Sequence, residues 1–177
     1  MNANQQLVAS LIRDVVDFPK PGVVFKDITP LIASAAGYRA AVEELAANAP
    51  PGIDVVVGME ARGFIFAGPV ALALGAGFVP VRKPGKLPGQ VYTETFALEY
   101  GTETLAVHAD AVLPGARVLV IDDVLATGGT IGATAKLIQR LGADLVHVSV
   151  VMELGFLGGR EHLAGLGVTD CSAVLTI

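Results

Sequence analysis

One cysteine, Cys171, serves a chain of 177 residues. No intrachain disulfide can form, which suits a reducing compartment. Charged side chains are sparse at 16%, and the net charge is −5. General attraction to nucleic acid or to an anionic membrane is therefore excluded as a driving force, and a nucleic-acid binder would need a local basic patch. No apolar run approaches the roughly 18 residues of a membrane span. The N-terminus has no basic region followed by an apolar core. The expectation is a soluble, cytoplasmic protein with no membrane and no nucleic-acid partner. Internal repeats and low-complexity segments are also missing. No Gly-Lys-Ser/Thr follows any glycine-rich turn, so there is no Walker A loop, and there is no GxGxxG fingerprint. His108, His147 and His162 lack metal-ligand spacing. His147 sits in a strand pattern and Cys171 has no visible catalytic partner, so both read as structural.

Apolar residues, by contrast, make up 53% of the chain, enough for one domain with a well-buried core. Residues 5–16 show helical spacing, with Val8, Leu11, Ile12 and Val15 on one face. Pro19 and Pro21 end that segment, and Val23 to Lys26 reads as extended. A second helix spans 37–47. From residue 53 onward strands and helices alternate: strands at 53–57, 78–81, 118–121, 145–151 and 173–177, with helices to Leu74 and Leu141 and a short one near 158–165. Pro69 must kink its helix or sit in its first turn. Residues 82–90 are basic and full of breakers. Val91–Phe96 and Glu103–Val107 form the arms of a small, lightly packed hairpin, a candidate lid. This order predicts an α/β fold with a central, mostly parallel sheet flanked by helices. Ligands in such folds bind beyond the carboxyl ends of the strands. Residues 58–62, 82–86 and 122–130 all follow strand ends and should share one rim.

The stretch ARVLVIDDVLATGGT carries the chemistry. Val118 to Ile121 is a short, β-branched apolar run of the kind found in fully buried parallel strands. It ends in Asp122 and Asp123. Strand-to-helix loops often begin with one Asp as a cap. Two in a row repel each other at an apolar strand end unless something binds them. Sugar hydroxyls or a hydrated Mg²⁺ would serve. Thr127-Gly128-Gly129-Thr130 then opens a helix with Ile131, Ala135 and Ile138 on one face. Helix N-termini offer free N–H donors and a positive dipole end, which suits a phosphate. The loop is short and has no lysine, so a phosphate monoester fits it better than a triphosphate. One loop thus offers both halves of a ribose-phosphate site. Arg62, Arg82, Lys83 and Lys86, four of twelve basic residues, fall in the other two rim loops, where they could meet an anion or simply be solvated.

VLVIDDVLATGGT resembles the phosphoribosyl-pyrophosphate motif of the type I phosphoribosyltransferases. Four more blocks resemble the adenine-using branch of that family, in the right order: DFPKPGVVFKDITPL (17–31), GMEARGFIFAGPVA (58–71), VRKPGKLPG (81–89) and ALEYG (97–101). Together they reach from about Arg13 to Glu153. The resemblance implies a type I phosphoribosyltransferase fold in one domain, 1–177, with a small N-terminal hood (about 1–35) and a flexible hairpin lid (about 83–107). It implies that adenine and phosphoribosyl pyrophosphate give AMP and pyrophosphate, with Mg²⁺ held mainly by substrate and water rather than directly by the protein. Asp122 and Asp123 would hold the ribose hydroxyls, and Ala126, Thr127, Gly128, Gly129 and Thr130 the 5′-phosphate. Glu60, Ala61 and Arg62, often joined through a non-proline cis peptide in the family, would grip pyrophosphate with Arg82, Lys83 and Lys86. Glu99 would be the acid/base for the purine proton, and Tyr100 would close over the site. Val24, Phe25 and Lys26 would read adenine, although Phe25 fits equally well as a residue packed beneath the N-terminal helix. A homodimer is implied. Two other readings remain: a transferase for another purine base, and a non-catalytic sensor of phosphoribosyl pyrophosphate. The acidic balance and the retained Glu99 block speak against the sensor.

Overall fold

The computed structural model describes residues 1–98 and 101–177. In chain order the elements are α1 (Ala3–Ser10), β1 (Arg13–Val16), β2 (Val24–Asp27), α2 (Thr29–Ala33), α3 (Ala35–Ala47), β3 (Val55–Met59), α4 (Arg62–Leu74), β4 (Gly77–Val81), β5 (Val91–Ala97), β6 (Thr102–His108), β7 (Arg117–Leu125), α5 (Gly129–Arg140), β8 (Asp144–Glu153), α6 (Gly159–Gly165) and β9 (Cys171–Thr176). Chain contacts divide them into two compact units, Met1–Glu44 and Leu45–Ile177. Among the described residues, no helix is long and apolar enough to cross a membrane.

In the first unit α1 opens on a reciprocal cap. The Gln5 N–H donates to Asn2 Oδ1 at 2.8 Å and the Asn2 N–H donates to Gln5 Oε1 at 2.9 Å, satisfying two helix-end donors. The apolar spacing predicts that this helix runs to residue 16, and the structure corrects it. The helix stops at Ser10, and Arg13–Val16 pairs antiparallel with Val24–Asp27. Two consecutive β-branched residues, Val15 and Val16, favour the extended chain. Ion pairs from Arg13 to Asp27 and from Lys26 to Asp14 (2.7 Å) brace the ladder. Local spacing cannot reveal a partner strand further along the chain.

Asp27 is expected to make this hairpin pH-sensitive. The Thr29 N–H and hydroxyl, followed by the Arg13 guanidinium, hold its carboxyl down at about 2, against an ordinary 3.8. A depressed carboxyl stabilises the fold above its ordinary value and loses that contribution as pH falls towards the folded one. Amide protection of β1 and β2 is expected to fall between pH 3.8 and about 2, followed by hydrogen exchange. Arg13→Ala should move the Asp27 titration upward, which side-chain NMR would read.

The second unit is built on a five-stranded sheet in the order β4-β3-β7-β8-β9, all parallel. Helices flank it, as the alternation predicts. Val57, Val118, Val120, Val148 and Val150 belong to one core with Leu137 and Ile138 of α5. The connections β3-α4-β4 and β7-α5-β8 run in opposite directions from the β3/β7 boundary. That boundary is the switch point where ligands bind in open parallel sheets. Pro69 lies inside α4 rather than in its first turn.

β7 runs further than its apolar core suggests. Pairing with β3 stops at Ile121, while pairing with β8 continues to Leu125 opposite Glu153. Asp122 and Asp123 are therefore strand residues with one open side, not the first residues of a loop. The hairpin arms β5 and β6 pair from Val91↔His108 to Ala97↔Thr102. Their base is not lightly packed. Leu105, Ala106 and Val107 are buried, and Tyr92 and Phe96 pack against the same core. Arg140 of α5 stacks 4.7 Å above the Tyr92 ring and donates to the Thr93 carbonyl at 2.7 Å. The hairpin's own sequence gave no sign of this, because the contacts come from α5, more than thirty residues downstream of its first strand.

Candidate active site

Where β3 leaves β7, a cavity of about 200 Å³ opens at the strands' carboxyl ends. Its walls are Met59 to Arg62 on one side and Asp122 to Ile131 on the other. Two helices begin here. α4 starts at Arg62 after Ala61, and α5 starts at Gly129 after Gly128, and neither start has a side-chain cap. First-turn N–H groups have no carbonyl within their own helix. Two positive helix ends therefore face one space.

The two carboxylates lie between them. Burial, then the neighbouring charge of Asp123, pushes the Asp122 carboxyl well above its ordinary range. Burial also raises Asp123, opposed by the Arg62 guanidinium. Arg62 Nε stands 3.0 Å from Asp123 Oδ2 but out of line for a hydrogen bond. That oxygen is one of two buried side-chain polar atoms lacking a hydrogen-bond partner among the described residues. Asp122 Oδ1 accepts from the Asp123 N–H at 2.9 Å. A Cβ at Gly63 would stand 2.8 Å from Asp122 Oδ1, so this close approach to α4 needs glycine. Buried acid with an unused acceptor suits a polyol whose hydroxyls donate.

Gly128 has φ +84°, a left-handed conformation that favours glycine. A Cβ there would also stand 2.9 Å from the Gly159 carbonyl oxygen. The loop is thus pressed from behind by the start of α6. A Cβ at Gly129 would meet the Phe96 ring at 3.0 Å.

A larger cavity, about 400 Å³, lies behind α5 at the amino end of β8, lined by Lys136, His147 and Asp170 among others. It lies at the wrong ends of the strands for a ligand site in this kind of sheet. His147 shares a hydrogen bond with Ser172 Oγ at 2.8 Å, and burial holds its ring below its ordinary value. The smaller cavity, with its donors and acids, is the stronger site.

Residues 26–161 match the phosphoribosyl transferase domain family. The adenine phosphoribosyltransferase of Cutibacterium acnes is 65% identical over 177 residues, covering 100% of both chains. The chain belongs to the adenine phosphoribosyltransferases. The crystal structure of the Thermoanaerobacter pseudethanolicus enzyme matches with a TM-score of 0.93 at 45% identity, covering 98% of this chain and 99% of that one. The Saccharomyces cerevisiae enzyme, crystallised with an imino-altritol bisphosphate and adenine, matches with a TM-score of 0.89 at 35% identity, covering 99% and 100%.

The cavity brings together Glu60, Ala61, Arg62, Asp122, Asp123 and Ala126 to Thr130. The Glu60–Ala61 peptide is cis. Arg82, Lys83 and Lys86 do not line the cavity; Arg82 and Lys83 connect to it through Glu60, and the Lys86 carbonyl accepts from Arg82 at 3.4 Å. Arg82 donates to Glu60 Oε2 at 3.1 Å, and the Lys83 N–H donates to Glu60 Oε1. Burial raises the Glu60 carboxyl, but these donors outweigh it and hold it below the usual range. Lys83 Nζ pairs with Glu103 of the hairpin at 2.6 Å. Sequence reading leaves these cations open to an anion or to solvent and does not anticipate the acidic partners of Arg82 and Lys83, Glu60 after β3 and Glu103 in β6. Val24, Phe25 and Lys26 form β2 of the first unit. Phe25 meets the edge of Phe18 at 5.2 Å, and the Lys26 ammonium is engaged by Asp14. Glu99 and Tyr100 lie outside the described residues. Sequence reasoning also missed Gly63 and Gly159. Their only signal was glycine itself, and which backbone or side chain approaches a glycine is a tertiary fact.

Proposed function

We infer that the chain transfers the 5-phosphoribosyl group of phosphoribosyl pyrophosphate to N9 of adenine, giving AMP and pyrophosphate. The observation that carries this is the meeting of Asp122 and Asp123 with two uncapped helix starts in one cavity at the sheet's switch point. The S. cerevisiae relative binds adenine, and we extend that base to this chain.

Adenine N9 attacks C1′ of the ribose, the bond from C1′ to pyrophosphate breaks, and the N9 proton leaves to a base. We assign that base role to Glu99, with Tyr100 closing over the site. The ribose passes through a cationic, oxocarbenium-like stage. Asp122 and Asp123 would hold the 2′ and 3′ hydroxyls and favour that charge through fixed, partly dehydrated carboxylates. Hydroxyl donors at the Asp123 oxygen that lacks a hydrogen bond would offset the burial that raises the pair. Ala126 to Thr130 would hold the 5′-phosphate on the α5 N-terminus. Arg62 and the Glu60-Ala61 segment would meet pyrophosphate. Arg82 and Lys83 would join them by exchanging Glu60 and Glu103 for the stronger anion, and Lys86 would add its charge from the same loop. Closure of the hairpin end would exclude water, which would otherwise hydrolyse the activated ribose.

Mg²⁺ fits this donor set in a limited way. Among the described residues no group of three or more potential ligands could cage a metal. The ion would take most of its oxygens from substrate and water, held at most loosely by the acids that line the cavity, Glu60, Asp122 and Asp123. When bound it would neutralise pyrophosphate charge. Val24 to Lys26 would choose the base, with the Phe25 ring stacked on the purine. We place the protein in the cytoplasm, where its single free cysteine stays reduced, and assign it a homodimeric state.

Initial rates with adenine, hypoxanthine, guanine and xanthine test the base assignment. Adenine is expected to have the highest kcat/KM, and a better rate with any other purine would move the chain to the other-base reading. Glu99→Gln is expected to lower kcat by about 10²-fold, the low end for a lost general acid or base. Binding of phosphoribosyl pyrophosphate should stay within about twofold in the same variant. An equal loss of both would make Glu99 a structural residue.

A further inference from the structure

The cradle that would take the 5′-phosphate does not stand alone. Gly159, the first residue of α6, lies so close to Ala126 that a Cβ on it would overlap the Ala126 carbonyl oxygen. Its own carbonyl oxygen limits Gly128 to glycine in the same way. Backbone thus packs on backbone, and the aim of the α5 donors depends on where α6 begins. The next residue, Arg160, is tied down by all of its guanidinium nitrogens. Its Nε donates to Glu153 Oε1 at 3.0 Å, its second nitrogen donates to Glu153 Oε2 at 2.5 Å, and its third donates to the Cys171 carbonyl at 2.6 Å. All three guanidinium nitrogens are used, in the bidentate geometry that fixes orientation as well as distance. Glu153 is largely buried and is the register partner of Leu125, the residue before Ala126. The Leu154 N–H also donates to the Leu125 carbonyl at 2.9 Å. A short loop of contacts closes from the end of β7 through β8 and Arg160 back to the cradle.

We propose that Arg160, held by Glu153, is a positioning residue for phosphoribosyl pyrophosphate. It seats the Gly158–Gly159 backbone behind Ala126 to Gly128 and so fixes the direction of the N–H groups at the start of α5. This rests on the reading of that loop as the 5′-phosphate cradle. Arg160 touches no substrate itself.

The test uses Arg160→Lys, which keeps the charge and loses the fork, and Glu153→Gln, which keeps an acceptor and loses the charge. Each is expected to raise KM for phosphoribosyl pyrophosphate about tenfold, about 1.4 kcal/mol. KM for adenine and kcat should stay within about twofold. The double variant should cost no more than the worse single one, because both break the same contact. A merely structural pair would lower Tm and the active fraction while leaving both KM values where they were, and that result overturns the proposal. Gly128→Ala and Thr130→Ala separate the two levels. If they leave KM for phosphoribosyl pyrophosphate unchanged, the cradle reading fails. If they raise it while Arg160→Lys and Glu153→Gln do not, the cradle stands and the positioning role alone is lost.

Discussion

Replacing Asp122 and Asp123 together by Asn is expected to lower turnover by about 10³-fold, the scale seen when fixed groups facing transition-state charge are lost. The effect should fall on kcat rather than on the KM for adenine, because the carboxylates face the ribose and the charge that develops on it. Asp122→Asn alone should have a second consequence in the opposite direction. Burial and the adjacent Asp123 charge raise the Asp122 carboxyl. A raised acid is disfavoured in its ionised form by the fold, so its penalty grows as pH climbs through the folded value. The amide keeps the acceptor used by the Asp123 N–H and removes the buried charge. The ligand-free variant should therefore melt a few degrees higher than the parent at pH 8, at about 2–4 °C per kcal/mol for a chain of this size. A lower Tm would mean that the pair stabilises the empty protein, and that its acids are held by something other than a need for substrate.

Gly159→Ala is the second large expected effect. The new methyl would overlap a backbone oxygen, not the end of a flexible side chain, so α6 or the Ala126 loop must move. Overpacking of this kind costs about 1–3 kcal/mol of stability. A shift of about 1 Å in a positioning loop can cost about 10²-fold in rate. We expect kcat/KM for phosphoribosyl pyrophosphate to fall by about that factor, while the far-UV spectrum is retained. Near-normal kinetics would show that the α6 start can yield without disturbing the cradle. Gly165→Ala is the control, since nothing lies within 4 Å of a Cβ there.

The site was legible in the sequence to an uneven degree. Val118 to Ile121 announced a buried strand, and Asp122-Asp123 with Thr127 to Thr130 announced acid and donors beside it, because both signals are local. The strand's true end was hidden. Asp122 to Leu125 remain in β7 only because β8 continues beside them after β3 has left. The same limit explains β1, where helical spacing gave way to a strand partner, and the hairpin base, whose seat is α5. It also explains why Arg82 and Lys83 looked free for an anion. Their partners, Glu60 just after β3 and Glu103 in β6, come from other parts of the chain. Periodicity reports what a segment can do by itself, whereas glycine approaches and ion pairs between loops are properties of the packed chain.

The most direct measurement of the central claim is a crystal structure with AMP bound. The expected result has the 5′-phosphate within hydrogen-bond distance of the N–H groups of Gly128 to Thr130. The ribose hydroxyls should lie on Asp122 and Asp123, and the adenine ring against Phe25. A phosphate seated anywhere else, or a ribose that leaves both carboxylates untouched, would contradict it.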